Sequence, residues 1–155
     1  KVLFSKPYLK SGQVIIVMKD SPIKTKADLA GKTVGLQNES SSEDALKSDE
    51  ATYKSIGEDN IKKYLTNVEA FLDLEIGRVD AVIVDEVVAK YQATKSDGKM
   101  VVLEDSFAEE SYGIGFRKED KALCDKVQEA LDGLVEDGTA KTISEKWFGS
   151  DIVEK

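Results

Sequence analysis

The sequence predicts an α/β fold, because strand-like and helix-like segments alternate along the chain. Val14–Met18 (VIIVM) and Val79–Val84 (VDAVIV) are short apolar runs, typical of strands that are buried on both faces. Lys121–Val135 instead carries its apolar residues at the spacing of an amphipathic helix. With 155 residues, 41% of them hydrophobic, the chain is long enough for about one domain with its own core.

The remaining elements follow from the same patterns. Strands are also predicted at Val2–Phe4, Thr33–Gln37, Ile61–Leu65, Met100–Leu103 and Tyr112–Phe116. Helices are predicted within Ser21–Ala30, at Ser40–Lys47, around Phe71–Ile76, at Glu86–Thr94 and at Thr142–Phe148. The polar stretch Lys47–Asn60 is predicted as a loop or a helix. Val2–Phe4 needs a sheet partner, which the sequence does not clearly provide.

Capping signals mark where two helices begin and where one ends. Ser40 and Glu43 have the S-x-x-E spacing of a capping box, in which each side chain satisfies a free backbone N–H at the helix start. Thr66 and Glu69 repeat this spacing. Gly77 is placed to end the second helix, since glycine accepts the left-handed conformation common at helix ends.

Composition argues against several classes of function. The formal net charge of -8 argues against a general nucleic-acid binder, which needs a basic surface. The absence of histidine removes His-based triads, His general bases and His-containing zinc sites, and we expect no cofactor or metal. Cys124 is the single cysteine, and its helical pattern predicts a small buried side chain and not a reactive thiol. No apolar run approaches the ~20 residues that a membrane span needs.

A serine-rich segment follows the strand that ends at Gln37. The sequence QNESSSEDAL (37–46) lies at a predicted strand-to-helix turn, where hydroxyls and free backbone N–H groups gather. The helix dipole favours negative charge at this end, so the segment is a candidate site for a carboxylate or a phosphate. Plain helix capping is the alternative, and it needs only Ser40 and Glu43.

Asp85 directly follows the apolar run VDAVIV. In open α/β sheets ligands bind beyond the carboxyl ends of strands, and a carboxylate there can accept hydrogen bonds from an ammonium group. The alternative is that Asp85 caps the helix beginning at Glu86. These two neighbours make a poor acid–base pair, because adjacent side chains point in different directions. Together, the serine segment and Asp85 describe a site for an α-amino acid zwitterion.

Five segments, taken in order, resemble a known family. They are VLFSKPYLKSG (2–12), KADLAGKTVGLQ (26–37), GRVDAVIVDEVVA (77–89), YGIGFRKED (112–120) and LVEDGTAKTISEKWFG (134–149). In this order and spacing they resemble the polar amino-acid family of extracytoplasmic solute-binding proteins. The resemblance implies a type II periplasmic-binding-protein-like clamshell of two α/β lobes, which binds an α-amino acid and performs no catalysis. It also implies the substrate-binding role in an ABC importer, with delivery to membrane permease subunits, in the periplasm or as a lipoprotein on the outer face of the cell membrane.

The resemblance further implies how the chain is divided between lobes. Residues 14–108 would form a complete second lobe, and residues 1–9 and 112–155 the C-terminal remnant of the first lobe. Hinge crossings would lie at 10–13 and 109–111. Because the chain opens inside an apolar run, we expect a signal peptide and the first part of lobe one to lie outside it. A remnant with uncovered apolar faces is expected either to make the chain self-associate or to be displaced from its place in the fold.

By resemblance, five residues contact the ligand: Ser40, Ser41, Ser42, Asp85 and Gln37. Ser41 matches the position whose hydroxyl and N–H meet the ligand carboxylate, with the other two serines beside it. Asp85 matches the position that meets the α-ammonium group, and Gln37 lines the strand end. The family usually has glycine just before its Ser/Thr pair, where this chain has Glu39, and glycine allows a closer approach of the backbone.

Two rival functions share this fold, because a fold does not fix a function. A dehydratase acting on an aromatic amino-acid precursor would need an acid or base in the cleft, and the chain offers no histidine. A sensor or receptor module could use the same clamshell. A transmembrane segment or a kinase domain elsewhere in the parent gene would favour the sensor.

Overall fold

The computed structural model describes residues 2–154, which form two compact units. Residues 12–109 make the central unit, and residues 2–11 together with 110–154 make the terminal unit. The chain passes between the units within two long strands, β2 (Leu9–Met18) and β6 (Met100–Tyr112). The predicted α/β fold is confirmed.

The central unit is built on a five-stranded sheet with the strand order β4-β3-β5-β2-β6. Its remaining strands are β3 (Val34–Gln37), β4 (Ile61–Tyr64) and β5 (Ala81–Asp85). β3 is parallel to both β4 and β5, whereas β2 is antiparallel to β5. The carboxyl ends of β3, β4 and β5 therefore lie at the same end of the sheet.

Helices cover both faces of this sheet. One face carries α1 (Ser41–Ser48), α2 (Glu50–Ile56) and a 3-10 helix at Lys26–Leu29, and a second 3-10 helix spans Glu58–Asn60. The other face carries α3 (Asn67–Glu75) and α4 (Glu86–Lys95). The predicted capping box of Thr66 and Glu69 is complete at the start of α3.

Alternate residues of β2 and β5 enter two separate cores, because side chains on a strand point to opposite faces. Ile15 and Ile83 are fully buried in the core shared with α1, α2 and the first 3-10 helix. Ile16 and Val82 are fully buried in the core shared with α3 and α4. The continuous apolar runs of the sequence therefore mark strands buried on both faces, as predicted.

The terminal unit contains a two-stranded sheet and two helices. β1 (Val2–Phe4) pairs antiparallel with β7 (Gly115–Arg117), and α5 (Lys121–Glu136) and α6 (Thr139–Phe148) follow. The expectation that Val2–Phe4 lacks a clear partner in the chain is therefore wrong. Cys124 of α5 is 6% exposed, with its sulfur 3.8 Å from the Phe4 carbonyl oxygen, which confirms the predicted small buried side chain.

The terminal unit also leaves large apolar side chains in contact with solvent. These side chains, between 38% and 63% exposed, are Val2, Phe4, Leu123, Leu134, Ile143 and Trp147. They lie on β1 and on both helices, and exposed apolar surface of this kind is typical of contact sites. Among residues 2–154, no helix combines the length and apolar character needed to cross a membrane.

Several boundaries differ from the predicted ones, and the segment that the sequence left open as a loop or a helix is now assigned. β6 continues to Tyr112, and the predicted strand Tyr112–Phe116 is divided between the end of β6 and β7. The polar stretch after α1 is largely helical, because Asp49 caps α2 by accepting a hydrogen bond from the Thr52 N–H at 3.1 Å. α6 begins at Thr139, three residues before the predicted start.

Candidate functional site

The predicted site residues lie at the end of the central sheet where β3 and β5 finish. Asp85 is the last residue of β5, and it stands directly opposite Gln13 of β2 in the antiparallel register. Directly opposed residues have their side chains on the same face of a sheet. That face is the one covered by α1, since Ile15 and Ile83 enter the α1 core. The Asp85 carboxylate and the Gln13 amide are therefore neighbours on the α1 side.

Gln13 connects this position to the serines of α1. Its side chain is fully buried. The Nε2 group donates to Ser41 Oγ at 3.1 Å, and Oε1 accepts a hydrogen bond from Ser42 Oγ at 2.6 Å. A buried amide with partners at both ends fixes the first turn of α1 against β2, and so holds Ser41 and Ser42 close to Asp85.

Ser40 is the N-cap residue of α1. Its Oγ accepts from the Glu43 N–H at 3.4 Å and donates to the Gln37 carbonyl at 2.7 Å. The capping box predicted for Ser40 and Glu43 is only half formed, because the Glu43 carboxylate accepts from the N–H of Glu39 at 2.9 Å and not from that of Ser40. The Ser40 hydroxyl therefore holds the turn between β3 and α1.

The Glu43 carboxylate is buried beneath this turn. It is 6% exposed and lies 2.6 Å from Lys47 Nζ and 2.7 Å from Lys63 Nζ. Hydrogen bonds from Lys47, from Lys63 and from the Glu39 N–H, in that order, lower the pKa of Glu43 from 4.5 to about 2. The carboxylate is therefore charged at neutral pH, when it holds the Glu39 N–H in place.

Glu39 has the left-handed backbone conformation, with φ at 53°. This conformation costs a residue other than glycine roughly 1–2 kcal/mol. It occurs at the position where the family that this chain resembles usually has glycine. The backbone of this turn therefore follows a path that glycine would adopt without strain. The hydrogen bond from the Glu39 N–H to Glu43 helps to stabilise that path.

Asp85 also caps a helix, as the alternative interpretation predicted. Its Oδ1 accepts from the Val87 N–H at 2.9 Å at the start of α4. Capping and ligand binding are compatible, since an ionised carboxylate has two oxygens and about four sites for donors.

Gln37 is the one predicted site residue that the structure does not bring to this group. The preceding residue, Leu36, enters the α1 core, so Gln37 points to the opposite face. Its Nε2 donates to the Leu65 carbonyl at 3.0 Å.

The sequence did not reveal two functional candidates, Gln13 and Glu43. The resemblance places Gln13 only in a hinge crossing, and the residue spacing assigns Glu43 only to a capping box. A glutamine directly ahead of the apolar run VIIVM was the available signal, because a buried amide requires defined partners. The partners themselves depend on the register of β2 with β5, which the sequence does not state.

The arrangement suits a ligand that carries one negatively and one positively charged group. The hydroxyl of the exposed Ser41 and backbone N–H groups at the start of α1 can donate to an anion, and the Asp85 carboxylate can accept from a cation. Within residues 2–154, no group of three or more His, Cys, Asp or Glu side chains is arranged to hold a metal ion.

Comparison with known proteins identifies a family. The model of the bacterial extracellular solute-binding proteins, family 3, matches residues 1–150. The L-cystine-binding protein TcyJ of Escherichia coli is 31% identical over 153 residues, which cover 97% of this chain and 55% of that protein. The arginine-binding extracellular protein ArtP of Bacillus subtilis is 34% identical over 152 residues, which cover 96% of this chain and 57% of that protein. The chain thus spans little more than half the length of these relatives.

A solved structure supports the same assignment. An ABC uptake transporter substrate binding protein from Streptococcus pneumoniae, with bound histidine, matches 100% of this chain and 64% of its own at 35% identity and a TM-score of 0.80. The α/β fold is therefore that of the type II periplasmic binding proteins, as the resemblance implied. Since the family model matches residues 1–150 of the 155, the chain belongs to the bacterial extracellular solute-binding proteins of family 3.

Proposed function

We propose that the protein containing this chain is the substrate-binding component of an ABC importer, which binds an α-amino acid outside the cytoplasm and delivers it to the membrane permease. One observation carries the proposal: Asp85 stands directly opposite Gln13 in the sheet, and on the same face the buried Gln13 amide is bonded to two serines at the start of α1. Similar proteins are named for binding cystine or arginine, and one has histidine bound. The proposed role is binding without catalysis.

Each charged group of an amino-acid zwitterion has a matching partner in this arrangement. The ligand carboxylate accepts hydrogen bonds from Ser41 and from the N–H groups at the start of α1, where the helix dipole favours negative charge. The α-ammonium group donates to Asp85 in a charge-assisted hydrogen bond. Both ligand groups are attached to one carbon atom, so their receivers must be close, and Gln13 holds them close.

The proposal includes a division of the chain into lobes. Residues 14–108 are proposed as one complete lobe and residues 1–9 and 112–155 as part of the other, with crossings at 10–13 and 109–111. The two compact units, with β2 and β6 passing between them, support this division. The contacts described above would then belong to one lobe, and the ligand side chain would be selected largely by the other.

The same proposal explains the exposed apolar surface of the terminal unit. If more of the first lobe normally covers Phe4 and the apolar side chains of α5 and α6, the 155-residue chain alone should self-associate. Light scattering at several concentrations tests this expectation. A monodisperse monomer that binds an amino acid at micromolar affinity would show that this chain is functionally complete.

Calorimetry tests the proposed function itself. The full-length product of the reading frame that encodes this chain is titrated with L-cystine, L-arginine, L-histidine and L-glutamine. Analogues of each ligand that lack the carboxylate or carry an acetylated amine serve as controls. We expect at least one amino acid to bind and its analogues to fail. Absence of binding throughout the panel, or equal binding of the analogues, contradicts the proposal.

A further inference from the structure

We propose that Gln13 is a positioning residue: it directs the Ser41 hydroxyl hydrogen toward the ligand carboxylate and keeps the Ser42 hydroxyl out of ligand contact. This inference rests on the proposed function, because it assumes that a carboxylate binds at the start of α1. It assigns different roles to two neighbouring serines that the sequence does not distinguish. It also gives a task to a fully buried amide that lies beside Asp85 in the sheet.

The number of hydrogen atoms decides the role of each serine. A hydroxyl has one hydrogen to donate and two lone pairs to accept with. Ser42 is 4% exposed and donates its hydrogen to Gln13 Oε1, so none remains for a ligand. Ser41 is exposed and accepts from Gln13 Nε2, so its own hydrogen is directed to a different acceptor. A carboxylate only accepts hydrogen bonds, and it therefore matches Ser41.

The two distances fix the orientation of the amide. The separation of 2.6 Å between Gln13 and Ser42 is usual for an O–H donor and short for an N–H donor. The separation of 3.1 Å between Gln13 and Ser41 suits an N–H donor. The amide oxygen therefore belongs at Ser42 and the amide nitrogen at Ser41. Because the side chain is fully buried, no water competes for these positions.

This arrangement also predicts which anionic group is preferred. Because the Ser41 hydroxyl and the backbone N–H groups all donate, the site presents only donors to the ligand. The NH₂ of a carboxamide is also a donor, so it would form no hydrogen bond with them. An ionised carboxylate accepts on both oxygens. The site should therefore prefer an amino acid to its carboxamide, and the preference should depend on Gln13 through Ser41.

A double-mutant cycle in the full-length protein tests the coupling. Affinities for L-arginine, L-histidine, L-cystine and L-glutamine, and for the carboxamide of whichever binds, are measured for wild type, Gln13→Met, Ser41→Ala and the double variant. We expect each single change to weaken amino-acid binding about fivefold, as for one hydrogen bond. The double variant should bind the amino acid no more weakly than Ser41→Ala does. In every variant, the affinity for the carboxamide should change less than the affinity for the amino acid.

Gln92→Met is the matched control, since it makes the same substitution on α4 of the same unit and should leave the affinity unchanged. If Gln13→Met does not fold, Gln13→Glu replaces it. That variant keeps an oxygen for Ser42 but places an acceptor against Ser41, which turns the Ser41 hydrogen away from the ligand. Its loss of affinity should be smaller in the Ser41→Ala background, where only the repulsion between the added negative charge and the ligand carboxylate remains.

The outcomes separate this inference from the proposed function. If wild type binds no amino acid in the panel, the proposed function fails. If wild type binds but Gln13→Met weakens binding equally with and without Ser41, Gln13 supports the fold and does not position the hydroxyl, so the inference is overturned while the function stands. Unchanged affinity in Gln13→Met overturns it in the same way.

Discussion

Replacement of the Glu43 carboxylate by a neutral amide should destabilise the protein in a manner that depends on pH. A pKa lowered from 4.5 to about 2 corresponds to about 3 kcal/mol of preference for the charged form in the folded state. The side chains of Lys47 and Lys63 are 49% and 46% exposed, so solvent screening reduces this value, and we expect Glu43→Gln to cost about 2 kcal/mol at pH 7.

The direction of the pH dependence follows from the lowered pKa. The folded state binds the Glu43 proton more weakly than the unfolded state, so the carboxylate stabilises the fold above pH 4.5 and loses this contribution as pH falls toward about 2. Urea unfolding followed by circular dichroism, at pH 7 and at steps down to pH 3, measures the free energy of unfolding of both proteins. The difference between them should be largest at pH 7 and should shrink below pH 4.5.

Glu50→Gln is the matched control for Glu43→Gln. Glu50 pairs with Lys54 at the same helical spacing, but both side chains are more than 70% exposed. Such a pair contributes less than about 0.5 kcal/mol. If Glu43→Gln costs no more than this control, or if its cost stays constant between pH 7 and pH 3, then the buried carboxylate does not stabilise the turn as described.

Three further outcomes are expected. Asp85→Asn should preserve the helix cap and the free energy of unfolding but weaken amino-acid binding by roughly 2–5 kcal/mol, and equal calorimetric affinity would refute the ammonium contact. Gly12→Ala should cost about 1–3 kcal/mol in urea unfolding, because its Cβ would lie 2.4 Å from the Ala108 carbonyl oxygen, whereas Gly133→Ala on open helix surface should not destabilise. Tyr64→Phe should remove a pH dependence of the free energy of unfolding at alkaline pH. Burial, followed by a hydrogen bond to the Asp73 carboxylate, raises the pKa of Tyr64 from 10 to about 12. The wild type should therefore lose stability as pH rises from 10 to 12, and the variant should not lose this contribution.

The sequence predicted those features that depend on local pattern. The run VIIVM is continuous because both faces of β2 are buried, and the capping box at Thr66 forms between two residues only three positions apart. Cys124 is buried because it lies on the inner side of an amphipathic helix. Each of these features involves residues within a few positions of one another, so the spacing alone contains the information.

The features that the sequence did not predict depend on contacts between distant segments. The Glu43 carboxylate of the half-formed capping box at Ser40 bonds the Glu39 N–H and contacts Lys63, which lies on the distant strand β4. The pairing of β1 with β7 joins the two chain segments, 2–11 and 110–154, that make up the terminal unit. Gln13 reaches Ser41 only because β2 runs antiparallel to β5 in one register, and a shift by one residue would turn it to the other face.

Ser41 is held by two supports of different physical kind. Gln13 fixes its hydroxyl through a neutral hydrogen bond from a fully buried amide, which no change of pH near neutrality alters. Glu43 fixes the backbone ahead of it through a charge, by holding the N–H of Glu39 in a conformation that glycine would adopt more easily. The side chain at position 39 is exposed, and the charged support allows a residue other than glycine at this point of the turn. A chain with glycine at this position would need the charged support less, because its turn carries no strain for Glu43 to offset.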